Sequence, residues 1–464
     1  MSNQKHIYFI GIGGIGISGL AQIYLEKGFT VSGSDLNNSD LIENLIKRGM
    51  KIKIGPHQKE NLPQDIDFII YNLAIPSDNP ELQEAKKRRI KYLTYPQALG
   101  ELAKKYFTIC ISGTHGKTTT TGMVSLILLK AGLDPTVVIG SKLKELDGTN
   151  ARLGKSKYLV IEADEYKRAF LNYHPDIIVI TNIEKDHMDY YRDLRDIKRA
   201  FGNFVSLLSR NGFVITTGNI ITSLRMSIPL LSKEGLGEVL TPTSSFLPAL
   251  GRGSASFVDY ERGPRNEITE VLQVSGDHNV QNALAAFAVG KSLGIQKTII
   301  LKALSSYTGA WRRFEIKYNK EVTVIDDYGH HPTEIRATLK AAREKYCGRR
   351  IWCIYQPHQI QRTEKLFSGF TKAFQDVDYV IVTKIFSVSG RDTLTEKTST
   401  VLAQKLTSEL KKKKKSVIYL ETFAEIIKHL LGNIRKKDVI IVMGAGDINS
   451  LTPLLIKKIK EMHL

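Results

Sequence analysis

The chain has 464 residues, 42% hydrophobic, 8% aromatic and 24% charged, which fits roughly two to four globular domains with ordinary cores and excludes a disordered or fibrous protein. A formal net charge of +19 invites a nucleic-acid role, but the basic residues are scattered without interleaved aromatics, so small polyanions are the expected partners, with no nucleic acid. No apolar stretch nears the roughly 20 residues that span a bilayer, the opening MSNQKHIYFIGIGG lacks the features of a secretory signal, and Cys110, Cys347 and Cys353 are too dispersed for a disulfide framework or thiolate metal site. A soluble, cytoplasmic chain with no membrane contact is expected.

HIYFIGI predicts the first strand, and FIGIGGIGISGL (9–20) carries Gly11, Gly13 and Gly16 in a G-x-G-x-x-G pattern that opens a helix. Glycines there let backbone N–H groups approach a diphosphate at the helix N-terminus. TVSGSD supplies the next strand, ended by Asp35, which could accept from a ribose hydroxyl. Taken alone, this loop fits a dinucleotide, another nucleotide diphosphate or a structural turn. DFIIYNLA follows, and LGELAKKY (99–106) closes the unit.

FTICISG (107–113) starts a second unit whose loop, ISGTHGKTTTT (111–121), precedes a helical pattern. Backbone amides of such a loop cradle phosphate oxygens, Lys117 would meet the β/γ-phosphates, and the Thr118 hydroxyl would reach Mg2+. The loop is a shortened variant of the P-loop, with Ile111 where the usual pattern has its first glycine. Four consecutive threonines are poor helix formers, which implies hydroxyls kept for a ligand. Strands are expected at YLVIEAD, DIIVITNI and GFVITTG. Residues 240–276 turn to short, turn-rich pieces that predict an antiparallel excursion.

HNVQNALAAFAVGKSLG predicts a helix with Asn279 and Asn282 on one face of its start, Asn279 reading as its N-cap. A boundary falls after WRRFE (311–315). The last unit alternates again through EVTVIDDYG, a helix at 333–345, RIWCIYQPH, a helix at 363–374, DYVIVTKI, SVIYLE and DVIIVMGAG. KKKKK (411–415) reads as a solvated turn before SVIYLE. The alternation predicts α/β domains over 1–105, 106–315 and 316–464: a Rossmann-like domain, a P-loop ATPase-like domain with a mostly parallel sheet and a small antiparallel part, and a second Rossmann-like domain.

With GTHGKTTTT, the motifs EADE (162–165), TNIEKDHMDYY (181–191), DHNVQNALAA (277–286), WRRFE, DDYGHHPTE (326–334), QPHQIQRT (356–363) and GAGD (444–447) occur in an order that resembles the Mur ligases of peptidoglycan assembly over nearly the whole chain. The N-terminal loop and DDYGHHPTE are most similar to the members acting on UDP-N-acetylmuramate and L-alanine. The resemblance implies ATP-dependent amide formation in which the lactyl carboxylate is phosphorylated to an acyl phosphate before the amine adds.

The same resemblance implies roles for individual residues. Gly113, Thr114, His115, Gly116, Lys117, Thr118 and Thr119 would hold ATP, with Asn279 and Asn282 on the adenine, Arg313 on the phosphates and Asp327 (less so Asp326) on the ribose. Mg2+ would be held by Thr118, Glu162 and His187, with Glu165 and Asp186 beside them. Gly13, Gly14, Ile15, Gly16, Ser34 and Asp35 would take the UDP of the substrate, so the first loop implies no nicotinamide. Tyr328, His330, His358 and Arg362 would surround the amino acid, Arg362 pairing with its carboxylate. The catalytic set implied is Lys117, Glu162, His187, His330, His358 and Arg362. Arg312 reads equally as a surface charge, and the plain alternative for the adjacent His330 and His331 is a turn held by imidazole hydrogen bonds.

Two positions depart from the family pattern. Gln359 stands where arginine is common, and Phe201 stands where some branches carry a carbamoylated lysine, Lys198 being off register, so no carbamoylation is expected. A recycling ligase that attaches a tripeptide to the same sugar nucleotide is the near alternative; an NAD-dependent oxidoreductase and a non-catalytic nucleotide-binding module are remote ones. A monomer or homodimer is expected.

Overall fold

The computed structural model describes residues 5–227, 236–240, 255–387, 396–413 and 416–461. These form three α/β domains, each around its own sheet, in two compact units. The first unit comprises residues 1–183, 195–273 and 281–308, and the second 184–194, 274–280 and 309–464.

In the first unit, strand His6–Ile10 is buried throughout, as a strand covered by helices on both faces should be. It lies between Thr30–Asp35 and Phe68–Tyr71 in a fully parallel five-stranded sheet flanked by Lys51–Ile54 and Lys91–Thr94. The chain leaves His6–Ile10 in opposite directions across the sheet, so the first glycine loop sits at a topological switch point. The eight-stranded sheet of this unit centres on Phe107–Ser112, between Tyr158–Glu162 and Ile177–Ile180, all parallel. The second glycine loop leaves the carboxyl end of that central strand.

The antiparallel part of this sheet differs in place from the expected excursion at 240–276. It is the pair Thr136–Leu143 and Thr149–Arg152, whereas Ala255–Asp259 joins the sheet parallel to Phe213–Thr216 and Arg265–Val271 is a helix. The intervening residues 241–254 of that expectation lie outside the described residues. Short strand pieces carry no directional signal of their own, so local sequence could not set the pairing.

A buried side chain bridges the two sheets of the first unit. Asn150 donates from Nδ2 to the Ile15 carbonyl and to Ser18 Oγ (3.0 Å), and its Oδ1 accepts from Gln22 Nε2 (2.8 Å). It thereby fixes helix Ile15–Glu26, the helix that starts at the first glycine loop, against strand Thr149–Arg152.

The second unit holds a six-stranded sheet in which Glu315–Asn319 runs antiparallel to Thr323–Asp327, followed in order by the parallel strands Val439–Met443, Ile351–Tyr355, Tyr379–Val382 and Val417–Tyr419. Helix Pro332–Lys345 matches the expected 333–345. The expected helix at 363–374 is instead two short ones, Ile360–Lys365 and Phe367–Phe370. The first part of the lysine run is helix: Glu396–Lys413 continues through Lys411, Lys412 and Lys413, where cations offset the negative end of the helix dipole; residues 414 and 415 lie outside the described residues. Among the described residues no helix is long and apolar enough to cross a membrane.

Candidate functional site

Gly13, Gly14, Ile15 and Gly16 run from the end of strand His6–Ile10 into the helix beginning at Ile15, and no side chain caps that helix. Its first N–H groups therefore stay available to an anion. Asp35 sits beside them, accepting from Gly13 N–H through Oδ2 (2.8 Å). Ser34 is placed differently: its hydroxyl is buried and donates to the buried carboxylate of Glu81 (2.6 Å). Glu81 also accepts from Asn61 Nδ2 (2.7 Å) and lies 3.1 Å from His57 Nδ1, so Ser34 is tied into the wall of this loop.

The second loop is shaped by residues that the motif alone did not single out. Asn182 accepts from Thr114 N–H through its carbonyl (3.1 Å) and from His115 N–H through Oδ1 (2.9 Å), while Thr181 Oγ1 donates to the His115 carbonyl. Gly113 and Gly116 have φ of +130° and +83°. At Gly116 a Cβ would stand 2.3 Å from Asn282 Oδ1, so Asn282 packs directly on the loop and no larger residue fits. Helix Lys117–Lys130 follows.

Lys117 donates from Nζ to the Gly113 carbonyl (2.6 Å) and to Glu165 Oε2 (2.9 Å). Burial would push the Lys117 ammonium pKa down, but the carboxylates of Glu165, Asp164 and Glu162 outweigh it and the pKa is raised; the lysine is a permanent cation. Thr118 donates to Glu162 Oε2 (3.3 Å), whose Oε1 accepts from Gly140 N–H (2.7 Å). Thr118 Oγ1 and the Glu162 carboxylate are hard oxygen donors of the kind that Mg2+ takes. The inference that all four threonines serve a ligand needs correction. Thr120 and Thr121 are fully buried, with hydroxyls that face the core without a partner; tertiary packing overrides helix propensity there. Thr119 is also buried, at the loop end of the helix. Phe201 is core as well, its ring edge-on to Phe170 at 5.2 Å.

In the second unit Asp186 and Arg362 form a buried ion pair, Arg362 Nε to Asp186 Oδ1 at 2.9 Å. Burial alone would raise the Asp186 pKa, but His187, Arg362, His330 and His331 hold it well below the usual carboxylate range. Arg362 Nη1 also lies 3.1 Å from His358 Nδ1; a guanidinium only donates, so that nitrogen accepts. The expected partner of Arg362, a substrate carboxylate, thus meets a guanidinium already engaged by Asp186. His187, with φ +52°, takes its backbone turn from a hydrogen bond of its N–H to Asp186 Oδ1 (2.7 Å).

His330 Nδ1 is 3.1 Å from the Tyr328 carbonyl, which requires the proton on Nδ1 and leaves Nε2 as an acceptor. Burial above all lowers the His330 pKa to about 3, so the ring is neutral at pH 7 and accepts a hydrogen bond better than it stores a proton. The ring of His330 lies 5.8 Å from that of His358. His331 turns the other way and caps helix Pro332–Lys345 with Glu334 in a reciprocal capping box, so one of the two adjacent imidazoles does hold a turn.

A pocket beside the Asp186–Arg362 pair is lined by His187, Met188, Gln359, Gln361 and Leu366. Gln359 is buried, has φ +67° and ψ 127°, and leaves Nε2 without a partner. An unusual backbone conformation on a polar residue at a pocket marks a constrained position.

Arg313 reaches Glu334 (3.4 Å) and lies over the Tyr328 ring. Arg312 is not a surface charge: it is buried, donating to Asp326 (2.9 Å) and to the Gly444 carbonyl (2.6 Å). That pairing commits Asp326. Asp327 accepts from Phe314 and Gly329 N–H groups, both at 2.8 Å, and burial raises its pKa to about 6. Asn279 is not an N-cap, since the helix starts at Asp277 and Asn279 donates from its first turn back to the Ser275 carbonyl (2.7 Å).

Comparison with known proteins adds three family matches in chain order: "Mur ligase family, catalytic domain" over residues 6–107, "Mur ligase middle domain" over 111–290 and "Mur ligase, glutamate ligase domain" over 312–446. A UDP-N-acetylmuramate–L-alanine ligase of Acetivibrio thermocellus is 44% identical, covering 98% of this chain and 96% of that protein. One of Clostridium botulinum is 41% identical, covering 96% of each. Among solved structures, the UDP-N-acetylmuramate–alanine ligase of Thermotoga maritima is 27% identical with a TM-score of 0.77, covering 98% of this chain and 99% of that one.

Proposed function

The chain belongs to the Mur ligase family, and from that premise we propose that it joins L-alanine to the lactyl carboxylate of UDP-N-acetylmuramate, using ATP. The observation that carries this reading is the Lys117 loop: a half-buried cation and a run of helix N–H groups at the carboxyl end of a parallel sheet, beside the Glu162 carboxylate. Full-length similarity to L-alanine ligases at 41–44% identity supports the choice of amino acid.

A carboxylate is a poor electrophile at neutral pH, and phosphorylation gives it a leaving group. The lactyl carboxylate attacks the γ-phosphorus, the bond to ADP breaks, and an acyl phosphate forms. The amine adds to the acyl carbon, and the tetrahedral intermediate expels inorganic phosphate. Catalysis of this kind is mostly positioning and charge neutralisation. Lys117 exchanges its Gly113 carbonyl and Glu165 contacts for the β/γ-phosphates, and its charge offsets that of the transferring group. His330 Nε2 accepts from the incoming amine, and Arg362 with His358 lines the amino-acid side.

The division into residues 1–105, 106–315 and 316–464 assigns UDP, ATP and amino-acid binding in turn. Gly13, Gly14, Ile15, Gly16 and Asp35 take the diphosphate, Ser34 shaping the wall. Asn279, Asn282, Arg313 and Asp327 serve the nucleotide by family resemblance. Mg2+ is proposed at Thr118 and Glu162, with His187 as a further ligand; when bound, it would neutralise phosphate charge. A cytoplasmic enzyme, acting as monomer or homodimer, completes the reading.

The test is phosphate release from ATP with UDP-N-acetylmuramate and, separately, L-alanine, glycine, L-serine or the recycling tripeptide. L-Alanine should give the highest kcat/KM. Turnover confined to the tripeptide would instead identify a recycling ligase, and none with any of the four would remove the ligase reading.

A further inference from the structure

The first glycine loop has a roof that its motif does not describe. Tyr95 begins helix Tyr95–Ala103, directly after strand Lys91–Thr94. The helix start is fixed by a capping box in which Thr94 N–H donates to Gln97 Oε1 (2.9 Å) while Thr94 Oγ1 accepts from Gln97 N–H. Further along, a Cβ on Gly100 would stand 2.3 Å from the Asn172 carbonyl, so the helix is seated tightly on the neighbouring domain of its own unit. Tyr95 is thereby held rigidly, and it is held over Gly16: a Cβ there would lie 2.8 Å from the Tyr95 hydroxyl and 2.9 Å from Cζ. Gly16 is required by this phenol, beyond any general need of a glycine motif.

A second donor covers the same loop. A Cβ on Gly14 would lie 2.4 Å from Asn72 Nδ2. Asn72 follows strand Phe68–Tyr71, and its Oδ1 is used locally by Ala74 N–H (3.1 Å), which orients Nδ2 over the loop. Among the described residues neither the Tyr95 hydroxyl nor Asn72 Nδ2 has a hydrogen-bond acceptor, and neither is sealed from solvent. Two adjacent strands thus each deliver one unused donor above an N–H-lined helix start. Donors that face solvent over such a loop can exchange a water for a phosphate oxygen.

We propose that the Tyr95 hydroxyl and Asn72 Nδ2 complete the diphosphate site, donating to phosphate oxygens held by the uncapped amides at the start of helix Ile15–Glu26. This rests on the ligase reading, which places a nucleotide diphosphate on this loop. The phenol stays a donor: burial first, then the Glu162 and Asp164 carboxylates, push its pKa above the ordinary tyrosine value.

The test is calorimetric titration of the full chain with UDP, UDP-N-acetylmuramate and uridine, in the parent, Tyr95→Phe and Asn72→Ala. The phenylalanine ring keeps the packing on Gly16, and the asparagine variant probes the site without touching that ring. Each variant should weaken UDP and UDP-N-acetylmuramate by about tenfold or more, the usual effect of losing a hydrogen bond to a charged group. Uridine affinity and the KM for ATP should not move. UDP affinity within about twofold of the parent in both variants, or an equal loss for uridine, overturns the proposal. A parent chain that binds neither UDP nor the sugar nucleotide would overturn the ligase reading itself, a distinct result.

Discussion

Lys117 shows how one side chain carries both a structural and a chemical load. Its ammonium is paired with the buried Glu165 carboxylate at 2.9 Å, and breaking such a pair from one side costs about 3–5 kcal/mol because a charge is left buried and alone. Lys117→Met should therefore lower unfolding free energy by roughly that amount, and Lys117→Met with Glu165→Gln should recover most of it. Neither should turn over ATP. Denaturant unfolding and phosphate release, measured on both variants, separate the two loads.

His330 carries a pH signature. Its folded pKa of about 3 lies below the ordinary 6.5, so between those values the unfolded chain binds a proton that the folded chain refuses, and stability falls as pH falls. Glu334, Arg362, Asp186 and Tyr328 face the ring. Asp327, raised to about 6, contributes the opposite slope, stability declining as pH rises from 3.8 to about 6. The stability of the parent minus that of His330→Gln should thus shrink as pH drops below about 6.5, in urea midpoints across a pH series. A difference that stays flat would mean the ring is not buried neutral. The chemistry-bearing types and their order were legible in the sequence. Which atoms were already committed was not: Arg362 to Asp186, Arg312 to Asp326 and Ser34 to Glu81 are long-range pairings without a local signature.

At the scale of elements, both glycine loops were legible because backbone conformation is written locally, in glycine spacing after an apolar strand. Residues 411–413 were misread because charge suggested a turn, whereas helix Glu396–Lys413 tolerates lysines at its end. The threonine run was half misread, since two of its hydroxyls face a core that the sequence does not show. Asn150 was missed entirely; it bonds residues 132 and 135 positions away. Asn150→Ala leaves the Ile15 carbonyl, Ser18 and Gln22 without that partner, and should cost about 1–3 kcal/mol, read as a lower thermal midpoint. Asn150→Asp should be no better, because a carboxylate cannot donate to the Ile15 carbonyl.

For the whole molecule, alternating strands and helices were enough to announce three parallel-sheet domains, because crossover connections leave few other topologies. Strand pairing at the edges escaped, since the edge strands 149–152 and 315–319 reverse direction through tertiary contacts alone. The division of labour we propose gives the diphosphate one glycine loop, ATP another and the amino acid the residues around Arg362. In the proposed reaction these parts act together, and the substrate carboxylate is activated by phosphoryl transfer. That activation is tested most directly by supplying UDP-N-acetylmuramate labelled with 18O in its lactyl carboxylate, together with ATP and L-alanine, and weighing the inorganic phosphate by mass spectrometry. One carboxylate oxygen should appear in the phosphate for each amide formed. Amide formed with unlabelled phosphate, or no amide at all, would rule out activation of the carboxylate by phosphoryl transfer.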